Sequence, residues 1–417
     1  IPILFPTKKN ICYYITGHGL GHATRSVEMV KSLLQSELFN NIHIVTTVGA
    51  DFFHNSLQKS LPISSLSQFV YHSRMLDSGA IQIDALKVDP VESLRKYFLN
   101  IHSKREFILQ SEIQWLKDTN IDVVIVDATP LGCAAGKLAN IPTILLTNFT
   151  WDYCFREMLL KDYVQKQLML IANECKSSLS QSTFLEYEEM ITQCHQDSFS
   201  CDYYIQLPGQ TPSKHSSSLL NTFESIDGPL IARLASSNAR MTLRESLGIS
   251  NDQKILLLGF GGHDTDWNLK DSFLPEGWVC LILGISESAL NKLSLPKERF
   301  RSMNFDSYVP DLIAASDVVL GKIGYGFVSE CLANGTPLVY VPRSDWPEEP
   351  YVEGLLLEYN AGVQLSVECF KNGNWSSTLF KALTLKGQWK IEPERSPHTA
   401  ANTILKHIVD IAYRKNV

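Results

Sequence analysis

Residues 13–25 read Tyr-Tyr-Ile-Thr-Gly-His-Gly-Leu-Gly-His-Ala-Thr-Arg, and this stretch decides the fold of the first half of the chain. An apolar run ends in a glycine-rich turn, after which helical spacing begins. Glycines let a ligand approach the backbone, and the start of the helix offers unpaired N–H groups and a positive dipole end. Because His18 and His22 flank the glycines, we predict a ligand site here, with Gly19 and Gly21 as contacts.

Short apolar runs alternate with helical patterns, including a long helical stretch at about 90–118. A stretch rich in Pro, Gly and Ser between residues 207 and 229, which suits a linker or surface loop, separates two such alternating regions. We predict strands at 11–16, 42–47, 122–126, 143–147, 254–258, 278–283, 318–320 and 338–341. Continuous apolar strands with helices between them indicate parallel sheets covered on both faces. The sequence therefore predicts an α/β protein with two doubly wound, Rossmann-like domains, which face each other across a cleft at the carboxyl ends of both sheets.

The domain boundaries follow from the same alternation. Residues 1–227 are predicted as the first domain and residues 228–395 as the second. Ser396-Pro397 is a typical helix start, with a capping hydroxyl followed by proline at the first helical position. Residues 396–417 are therefore predicted as a closing helix.

Composition excludes several classes of protein. Of 417 residues, 44% are hydrophobic and 19% charged, which is enough to build large cores. The net charge of −7 argues against nucleic acid as a partner. No apolar run approaches the ~20 residues that span a bilayer, and no signal peptide is visible, although residue 1 is Ile and leaves open a missing initiator or leader. Nine cysteines without CxxC spacing indicate reduced thiols and a soluble, cytoplasmic protein.

Two other interpretations of the first glycine turn fail. A dinucleotide fingerprint needs glycine where the chain has His22, and it needs an acidic residue at the end of the second strand, which ends in Val-Thr-Thr-Val. A zinc site would need His18 and His22 on one regular helix, which the glycine turn disfavours, and no glutamate stands between them as in an HExxH motif. We therefore predict no metal.

A second glycine-rich turn follows a strand at residues 321–330, Gly-Lys-Ile-Gly-Tyr-Gly-Phe-Val-Ser-Glu. Lys322 and the amides at the start of the following helix suit a diphosphate. Glu330 alone would be a solvated helix residue, but in this context it can accept both hydroxyls of a ribose. The turn at 259–263, Gly-Phe-Gly-Gly-His, is predicted to lie on the same sheet edge.

These motifs together resemble the glycosyltransferase-like N-terminal domain of plant L-arabinokinase and, more broadly, GT-B sugar-nucleotide transferases. The matching segments are YYITGHGLGHATR, LDSGAIQIDALKVD, VPDLIAASDVVLGKIGYGFVSE and PEEP, in this order between Tyr13 and Pro350. The resemblance implies the GT-B fold, with the closing helix packing back towards the first domain. The phosphate loop of the sugar-kinase half, Gly-Leu-Ser-Ser-Ser, does not occur, so we expect no sugar phosphorylation.

The resemblance also implies residue roles in the first domain. In plant-type and lipid-linked glycosyltransferases a Gly-His pair after the first strand supplies the general base, and the matching pair here is Gly21-His22. An aspartate of the same domain commonly orients that histidine, which makes Asp127 the orienting residue. His18, Arg25 and the stretch from 77 to 89, with Asp77 and Asp84, are predicted to contact the acceptor or the sugar.

On the donor side, the family motif His-Cys-Gly-Trp-Asn-Ser-x-x-Glu aligns with residues 322–330. Gly324 and Glu330 are retained, whereas Lys322 replaces the histidine at the diphosphate. The Asn and Ser of the motif are replaced by Gly326 and Phe327, so backbone amides of residues 324–327, Tyr325 included, have to serve instead. Lys322 is joined at the diphosphate by Gly261 and Gly262.

Two further segments complete the predicted donor site. Residues 308–311, Tyr-Val-Pro-Asp, resemble the loop whose backbone reads uracil, with Tyr308 in place of the usual stacking tryptophan and Val309 next to it. Glu348 and Glu349 lie near the family's Asp-Gln pair that holds sugar hydroxyls, although offset from its spacing.

The sequence therefore predicts a glycosyltransferase that moves a hexose or pentose from a UDP-sugar to an unidentified acceptor, a protein, glycan, lipid or small molecule, with inversion. No Asp-x-Asp motif is evident, so we expect a metal-independent reaction and no tightly bound cofactor. Two alternatives remain open. One is a sugar-nucleotide epimerase or hydrolase on the same scaffold, and the other is a non-catalytic module that binds sugar nucleotides.

Overall fold

A computed structural model describes residues 7–174, 184–212, 223–261, 268–304 and 307–414 of the chain. The strands of the first half are β1 (Lys9–Ile15), β2 (Phe39–Thr46), β3 (Phe69–Ser73), β4 (Ile81–Gln82), β5 (Val88–Asp89), β6 (Val123–Asp127), β7 (Thr143–Thr147), β8 (Tyr203–Gln206) and β9 (Glu224–Asp227). Those of the second half are β10 (Lys254–Gly259), β11 (Trp278–Leu283), β12 (Phe300–Met303), β13 (Val318–Lys322), β14 (Leu338–Val341) and β15 (Gly362–Gln364).

Helices lie between these strands and cover both sheets. The first eight are α1 (Gly21–Gln35), α2 (Ala50–Gln58), α3 (Pro90–Asn100), α4 (Arg105–Asp118), α5 (Pro130–Leu138), α6 (Trp151–Leu159), α7 (Asp162–Glu174) and α8 (Phe184–Ser198). The others are α9 (Ala239–Ser246), α10 (Glu287–Lys292), α11 (Val309–Ala315), α12 (Tyr325–Ala333), α13 (Glu349–Glu358), α14 (Val367–Asn372), α15 (Ser376–Leu383) and α16 (Pro397–Tyr413). In the described part of the chain, no helix combines the length and apolar composition needed to cross a bilayer.

Two parallel sheets form the centre of the molecule. The first has the strand order β3-β2-β1-β6-β7-β8-β9 and the second the order β12-β11-β10-β13-β14-β15. All neighbouring strands in both sheets run parallel. Central strands such as β6 and β7 are buried along their whole length because helices cover both faces. The predicted α/β class with two doubly wound sheets is confirmed.

Each sheet has one point where the chain reverses its direction of winding, between β1 and β6 in the first sheet and between β10 and β13 in the second. At such a point the loops after two adjacent strands diverge and leave a crevice at their carboxyl ends. The glycine turns after β1, β10 and β13 all begin at these points. The topology therefore places the predicted ligand-binding turns where a doubly wound fold binds ligands.

Two predicted segments differ from the structure. The long helix expected over 90–118 is divided into α3 and α4, and the start of the second helix is fixed by an ion pair of Arg105 with Asp197 on α8, at 2.8 and 2.6 Å. The stretch predicted as a linker contains β9, which adds the last strand to the first sheet. Residues 213–222 of that stretch lie outside the described residues.

The closing helix α16 begins where the capping pattern predicts, because the Ser396 hydroxyl accepts a hydrogen bond from the His398 amide. Its buried residues Ile404 and Ile408 belong to the same apolar cluster as residues of α1. The Tyr413 hydroxyl donates to the Leu38 carbonyl, which follows α1, at 2.6 Å. The last helix of the chain thus packs on the first.

Candidate active site

His22 and Asp127 are brought together at the crevice of the first sheet. His22 lies in the first turn of α1, directly after the glycine turn, and Asp127 is the last residue of β6. Because β1 and β6 are neighbours, their carboxyl ends lie side by side. The His22 Nδ1 atom is 2.9 Å from Asp127 Oδ1, although the two residues are 105 positions apart.

Arg25 holds the other side of the same carboxylate. It follows His22 by three residues on α1, so both side chains lie on one helix face. Its Nε donates to Asp127 Oδ2 at 2.8 Å, and its Nη2 also contacts Oδ1. Its Nη1 donates to Asn148 Oδ1 at 2.6 Å. Arg25 is 3% exposed, and each of its guanidinium nitrogens contacts a protein group; its contact with acceptor or sugar stays a prediction.

The charge state of this group follows from the balance of burial and pairing. Burial alone would raise the pKa of Asp127, but the Arg25 charge and the contacts with His22 and Arg25 outweigh it and hold that pKa well below its usual range. His22 Nδ1 lies 2.9 Å from both Asp127 Oδ1 and Arg25 Nη2. With the proton assigned to Nδ1, which then donates a hydrogen bond to the ionised Asp127, Nε2 is the basic nitrogen of the ring. The geometry is that of a histidine base with a fixed carboxylate behind it.

Aromatic rings surround both histidines of the turn. Phe149 meets the His22 ring edge-on at 5.0 Å between ring centroids. His18 stacks on Trp346 at 5.0 Å and meets Trp151 edge-on at 5.1 Å. Trp346 comes from the second half of the chain, so residues of both halves enclose the glycine turn.

A chain of hydrogen bonds connects the histidine and aspartate to the second half. Asn148, which Arg25 contacts, donates from Nδ2 to Glu348 Oε1 at 2.7 Å. Trp346 Nε1 donates to Glu348 Oε2 at 3.0 Å. Sequence reasoning missed Asn148 and Trp346. The position of Asn148 directly after β7, at the same sheet edge as Asp127, is the signal that could have identified it.

The two predicted sugar-binding carboxylates are engaged with the protein in this structure. Both oxygens of Glu348 accept the bonds just described. Glu349 accepts from the Arg343 amide at 2.8 Å and from Arg343 Nε at 2.7 Å, while burial, opposed by Arg343, raises its pKa. A sugar hydroxyl would therefore have to share these carboxylates with protein donors.

Lys322 ends β13 at the crevice of the second sheet. Its Nζ is 3.4 Å from the Gln82 side-chain oxygen, which belongs to β4 of the first half. Burial, together with the Arg343 charge, lowers the pKa of Lys322 to about 7. An arriving diphosphate would favour the charged form of this lysine.

The two glycine turns lead into helices whose N-termini face each other. Gly324 is the N-cap residue of α12, and Tyr325 is its first residue, buried below the Arg25 guanidinium at 4.6 Å from the ring centroid. A Cβ atom added to Gly326 would lie 3.4 Å from the Gly21 Cα atom. The amide ends of α1 and α12 therefore converge on one region.

The third glycine turn lies beside Lys322 because β10 and β13 are neighbours. A Cβ atom at Gly321 would come within 2.3 Å of the Gly259 carbonyl oxygen, so the two strand ends approach as closely as glycine permits. Gly261 has a φ of +78°, a conformation that favours glycine. Gly262, the other predicted diphosphate contact, lies outside the described residues.

The predicted nucleoside contacts are connected by an arginine that sequence reasoning missed. Arg233 Nε donates to Glu330 Oε1 at 2.5 Å, and its guanidinium lies 5.6 Å from the centroid of the Tyr308 ring. Tyr308 is the N-cap residue of α11 and Val309 the first residue of that helix. Glu330 is 4% exposed, so a ribose would share its carboxylate with Arg233; the predicted contact with the ribose stays a prediction.

Of the predicted acceptor contacts, Asp77 is buried and Asp84 is exposed. Asp77 accepts hydrogen bonds from Thr16 Oγ1 at 3.0 Å and from the Gly79 amide at 3.1 Å. Burial outweighs these bonds and raises the pKa of Asp77 to about 7. Asp84 lies between β4 and β5 and accepts from the Leu86 amide.

Neither a metal cluster nor a disulfide is formed by the described residues: no three His, Cys, Asp or Glu side chains come together as a metal site, and the eight described cysteines are unpaired. The expectation that no metal takes part stays a prediction.

No protein-family model matches the chain. Two known proteins are similar to it in sequence. Over 375 residues, 90% of its length, the chain is 35% identical to L-arabinokinase of Arabidopsis thaliana, and the match covers 32% of that relative. Over 125 residues, it is 28% identical to the UDP-N-acetylglucosamine–N-acetylmuramyl-(pentapeptide) pyrophosphoryl-undecaprenol N-acetylglucosamine transferase of Opitutus terrae, covering 27% of this chain and 32% of the relative. The chain spans about a third of the length of these curated relatives.

Solved structures match the whole fold. The calicheamicin glycosyltransferase CalG4 aligns with a TM-score of 0.57 and 15% identity, over 97% of this chain and 99% of its own. Glycyrrhiza uralensis UGT73P12, complexed with glycyrrhetinic acid 3-O-monoglucuronide, aligns with a TM-score of 0.57 and 14% identity, over 98% and 97%. Arabidopsis thaliana UGT89C1, complexed with UDP, aligns with a TM-score of 0.55 and 12% identity, over 96% and 100%. The fold is GT-B, and the resemblance to arabinokinase and GT-B proteins is confirmed.

Proposed function

We propose that this chain, which has the GT-B fold and resembles L-arabinokinase over nine tenths of its length, is a glycosyltransferase that moves a sugar from a UDP-sugar to an acceptor hydroxyl. The observation that carries the proposal is the pairing of His22 with the ionised Asp127 at one crevice, opposite Lys322 at the other. A displacement at an anomeric carbon needs a base on one side and positive charge near the leaving group on the other.

His22 is the general base in this proposal. Its Nε2 takes the proton from the acceptor hydroxyl while the acceptor oxygen forms a bond to the anomeric carbon. The bond from that carbon to the diphosphate oxygen breaks, and UDP leaves with the electron pair. Attack from the side opposite to UDP inverts the anomeric centre. Asp127 positions the imidazole and stabilises the imidazolium that forms.

Lys322 and the amides of residues 324–327 stabilise the leaving diphosphate, with Gly261 on the neighbouring turn. The positive end of the α12 dipole points to the same place. Tyr308, Val309 and Glu330 hold the nucleoside, with Arg233 beside them. All of the positive charge in this scheme comes from the protein, so no metal ion takes part.

Contact between the two halves supports a closed reaction site. Asn148 joins Arg25 to Glu348, and the Tyr153 hydroxyl is 2.7 Å from that of Tyr351. Closure around the donor would exclude water, which otherwise competes with the acceptor for the anomeric carbon. Gly19 and Gly21 leave the backbone of the first turn open to the donor.

The decisive experiment replaces the base. We expect His22→Ala to abolish UDP release in the presence of an acceptor panel, while UDP binding measured by calorimetry stays within a few-fold of the wild type. His398→Ala, on the exposed face of α16, is the matched control and should retain full activity. Activity that survives His22→Ala contradicts the assignment of the base.

A non-catalytic module that binds sugar nucleotides is the second candidate, and one observation favours it: Glu330, Glu348 and Glu349 are all bonded to protein donors. Tight UDP-sugar binding without turnover across the panel would support this candidate. UDP release without any acceptor would indicate a hydrolase, and conversion of the UDP-sugar to another UDP-sugar without UDP release would indicate an epimerase.

A further inference from the structure

A cavity of about 430 Å³ lies beside the first glycine turn. Its walls are residues 17–19 of the turn, Thr47 after β2, parts of residues 75–82, and Lys96 on α3. This volume lies within the range of small-molecule sites and is far too small for a folded partner.

The cavity adjoins both halves of the proposed chemistry. Asp77 in its wall contacts the Thr129 hydroxyl at 3.4 Å, and that hydroxyl also contacts the carbonyl oxygen of Asp127 at 3.3 Å. Gln82, also in the wall, is the residue that contacts Lys322. His22, Asp127 and Lys322 do not line the cavity, which is connected to the first crevice through Asp77 and Thr129 and to the diphosphate site through Gln82.

Lys96 gives the cavity an uncompensated positive charge. It is half-buried and lines the cavity, yet it forms no ion pair with any residue that the structure describes. Glu92, one turn earlier on α3, is paired with Arg95 at 2.8 Å. Asp77 also lines the cavity, but it forms no ion pair with Lys96, and burial raises its pKa to about 7, so its carboxyl is only partly charged near neutral pH. A cation partly removed from water without a counter-ion is costly, and an anionic ligand would offset that cost.

The remaining wall suits hydroxyl groups on an otherwise compact ligand. His18, Ser78 and Gln82 carry polar groups at the cavity surface, and Met75 and Ile81 supply apolar contact. A sugar ring has this combination of hydroxyl edges and apolar faces, and a pocket with a few polar groups and a charged residue fixes the orientation of such a ligand.

We propose that this cavity is the acceptor subsite, and that it takes a small polyhydroxylated compound carrying an anionic group, a carboxylate or a phosphate, which Lys96 binds. The inference rests on the proposed function and narrows its acceptor from an open list to one chemical class. Lys96 is thereby the residue that determines acceptor specificity.

The test is a binding experiment without any donor. Five neutral hexoses and pentoses are each compared with the corresponding uronate and sugar phosphate by calorimetry. We expect at least one anion to bind the wild type tenfold or more tightly than its neutral partner. Lys96→Met should abolish this preference and Lys96→Arg should retain it. Lys104→Met, at an exposed position before α4, is the matched control.

Each outcome decides the inference. If no anionic compound binds more tightly than its neutral partner, or if Lys96→Met leaves the preference intact, the inference is wrong. The uronate and phosphate arms separate the two sources of negative charge. Anion binding through Lys96 without UDP release on addition of UDP-sugar would show that the cavity binds anions but would contradict the transferase and with it the cavity's role as acceptor subsite. If sugar is transferred to neutral acceptors and Lys96→Met does not change this transfer, the transferase is supported and the anion-binding acceptor subsite is contradicted.

Discussion

At the scale of single residues, the site depends on keeping one carboxylate charged inside the protein. Asp127 is fully buried, and an unpaired charge there would be very costly. Arg25 contacts both oxygens of Asp127, so its positive charge balances the carboxylate and its hydrogen bonds reach both oxygens. A carboxylate with this partner stays ionised, and His22 thereby keeps one orientation and one tautomer.

Lys322 offers a prediction about pH. With its pKa lowered to about 7 by burial and Arg343, the free protein loses this charge as the pH rises through 7. UDP binds the charged form, so one titrating group with that pKa makes binding about tenfold weaker at pH 8 than at pH 6. Calorimetry at both pH values measures the ratio.

The control for this experiment removes the titrating group. Lys322→Met should bind UDP more weakly at both pH values and should show no lysine-dependent change. Because UDP itself also titrates, the ratio of wild-type to variant affinity is the quantity to compare. A ratio that does not fall between pH 6 and pH 8 would show that Lys322 does not contact the diphosphate.

The sequence could predict which residues carry the site but not every partner they have. The glycine turns and the family motifs indicated His22, Asp127 and Lys322, and the structure places all three at the two crevices. His22 and Arg25 share a helix face because both lie on α1 at i, i+3 spacing, but which carboxylate Arg25 meets depends on the pairing of β1 with β6. The sequence around Arg233 does not indicate its partner, because Glu330 lies 97 residues away.

At the scale of elements, the sequence predicted the bounds of fully buried strands better than those of partly exposed ones. The central strands β7, β11 and β14 begin and end at the predicted residues because each is a continuous apolar run. Strand β3 and the hairpin of β4 and β5 were not predicted. The hairpin is specified by distant contacts instead: Lys87 forms a parallel bridge with Ser344, and Ala85 is buried in the apolar cluster of the second sheet.

The meeting of α1 and α12 gives a prediction at the same scale. A methyl group at Gly326 would lie 3.1 Å from Thr24 Oγ1, which is tighter than ordinary packing, and 3.4 Å from the Gly21 Cα atom, which is ordinary contact. We expect Gly326→Ala to shift the start of α12 against that of α1 by a few tenths of an ångström, with at least tenfold weaker UDP binding in calorimetry. A tenfold loss of affinity corresponds to about 1.4 kcal/mol of binding free energy.

The matched control for this variant is Gly354→Ala in α13. Nothing lies within 4 Å of a Cβ atom at that position, and alanine favours a helix, so its stability should equal or exceed that of the wild type. Unchanged UDP binding by Gly326→Ala would contradict a close approach of the two helices during nucleotide binding.

At the scale of the whole molecule, elements from one part of the chain pack on another, so the two halves are not independent units. We propose the boundaries 1–227, 228–395 and 396–417 as units of sequence, but besides the side-chain contacts at the site, two whole elements cross them. The hairpin of the first half reaches the second sheet, and α16, which follows the second half, packs on α1. The helix that carries His22 and Arg25 is therefore supported by the end of the chain.

This support can be measured by removing part of it. Ile408 is fully buried in the apolar cluster that α16 shares with α1, so Ile408→Ala should lower the free energy of unfolding by about 2–5 kcal/mol. Lys406→Ala, exposed on the same helix, should change it by less than about 0.5 kcal/mol. Hydrogen exchange then shows which helix is affected. If Ile408→Ala speeds amide exchange more in α1 than in α12, α16 stabilises the helix that carries His22. Equal protection of α1 in both variants would contradict this, because the loss of stability would then lie elsewhere.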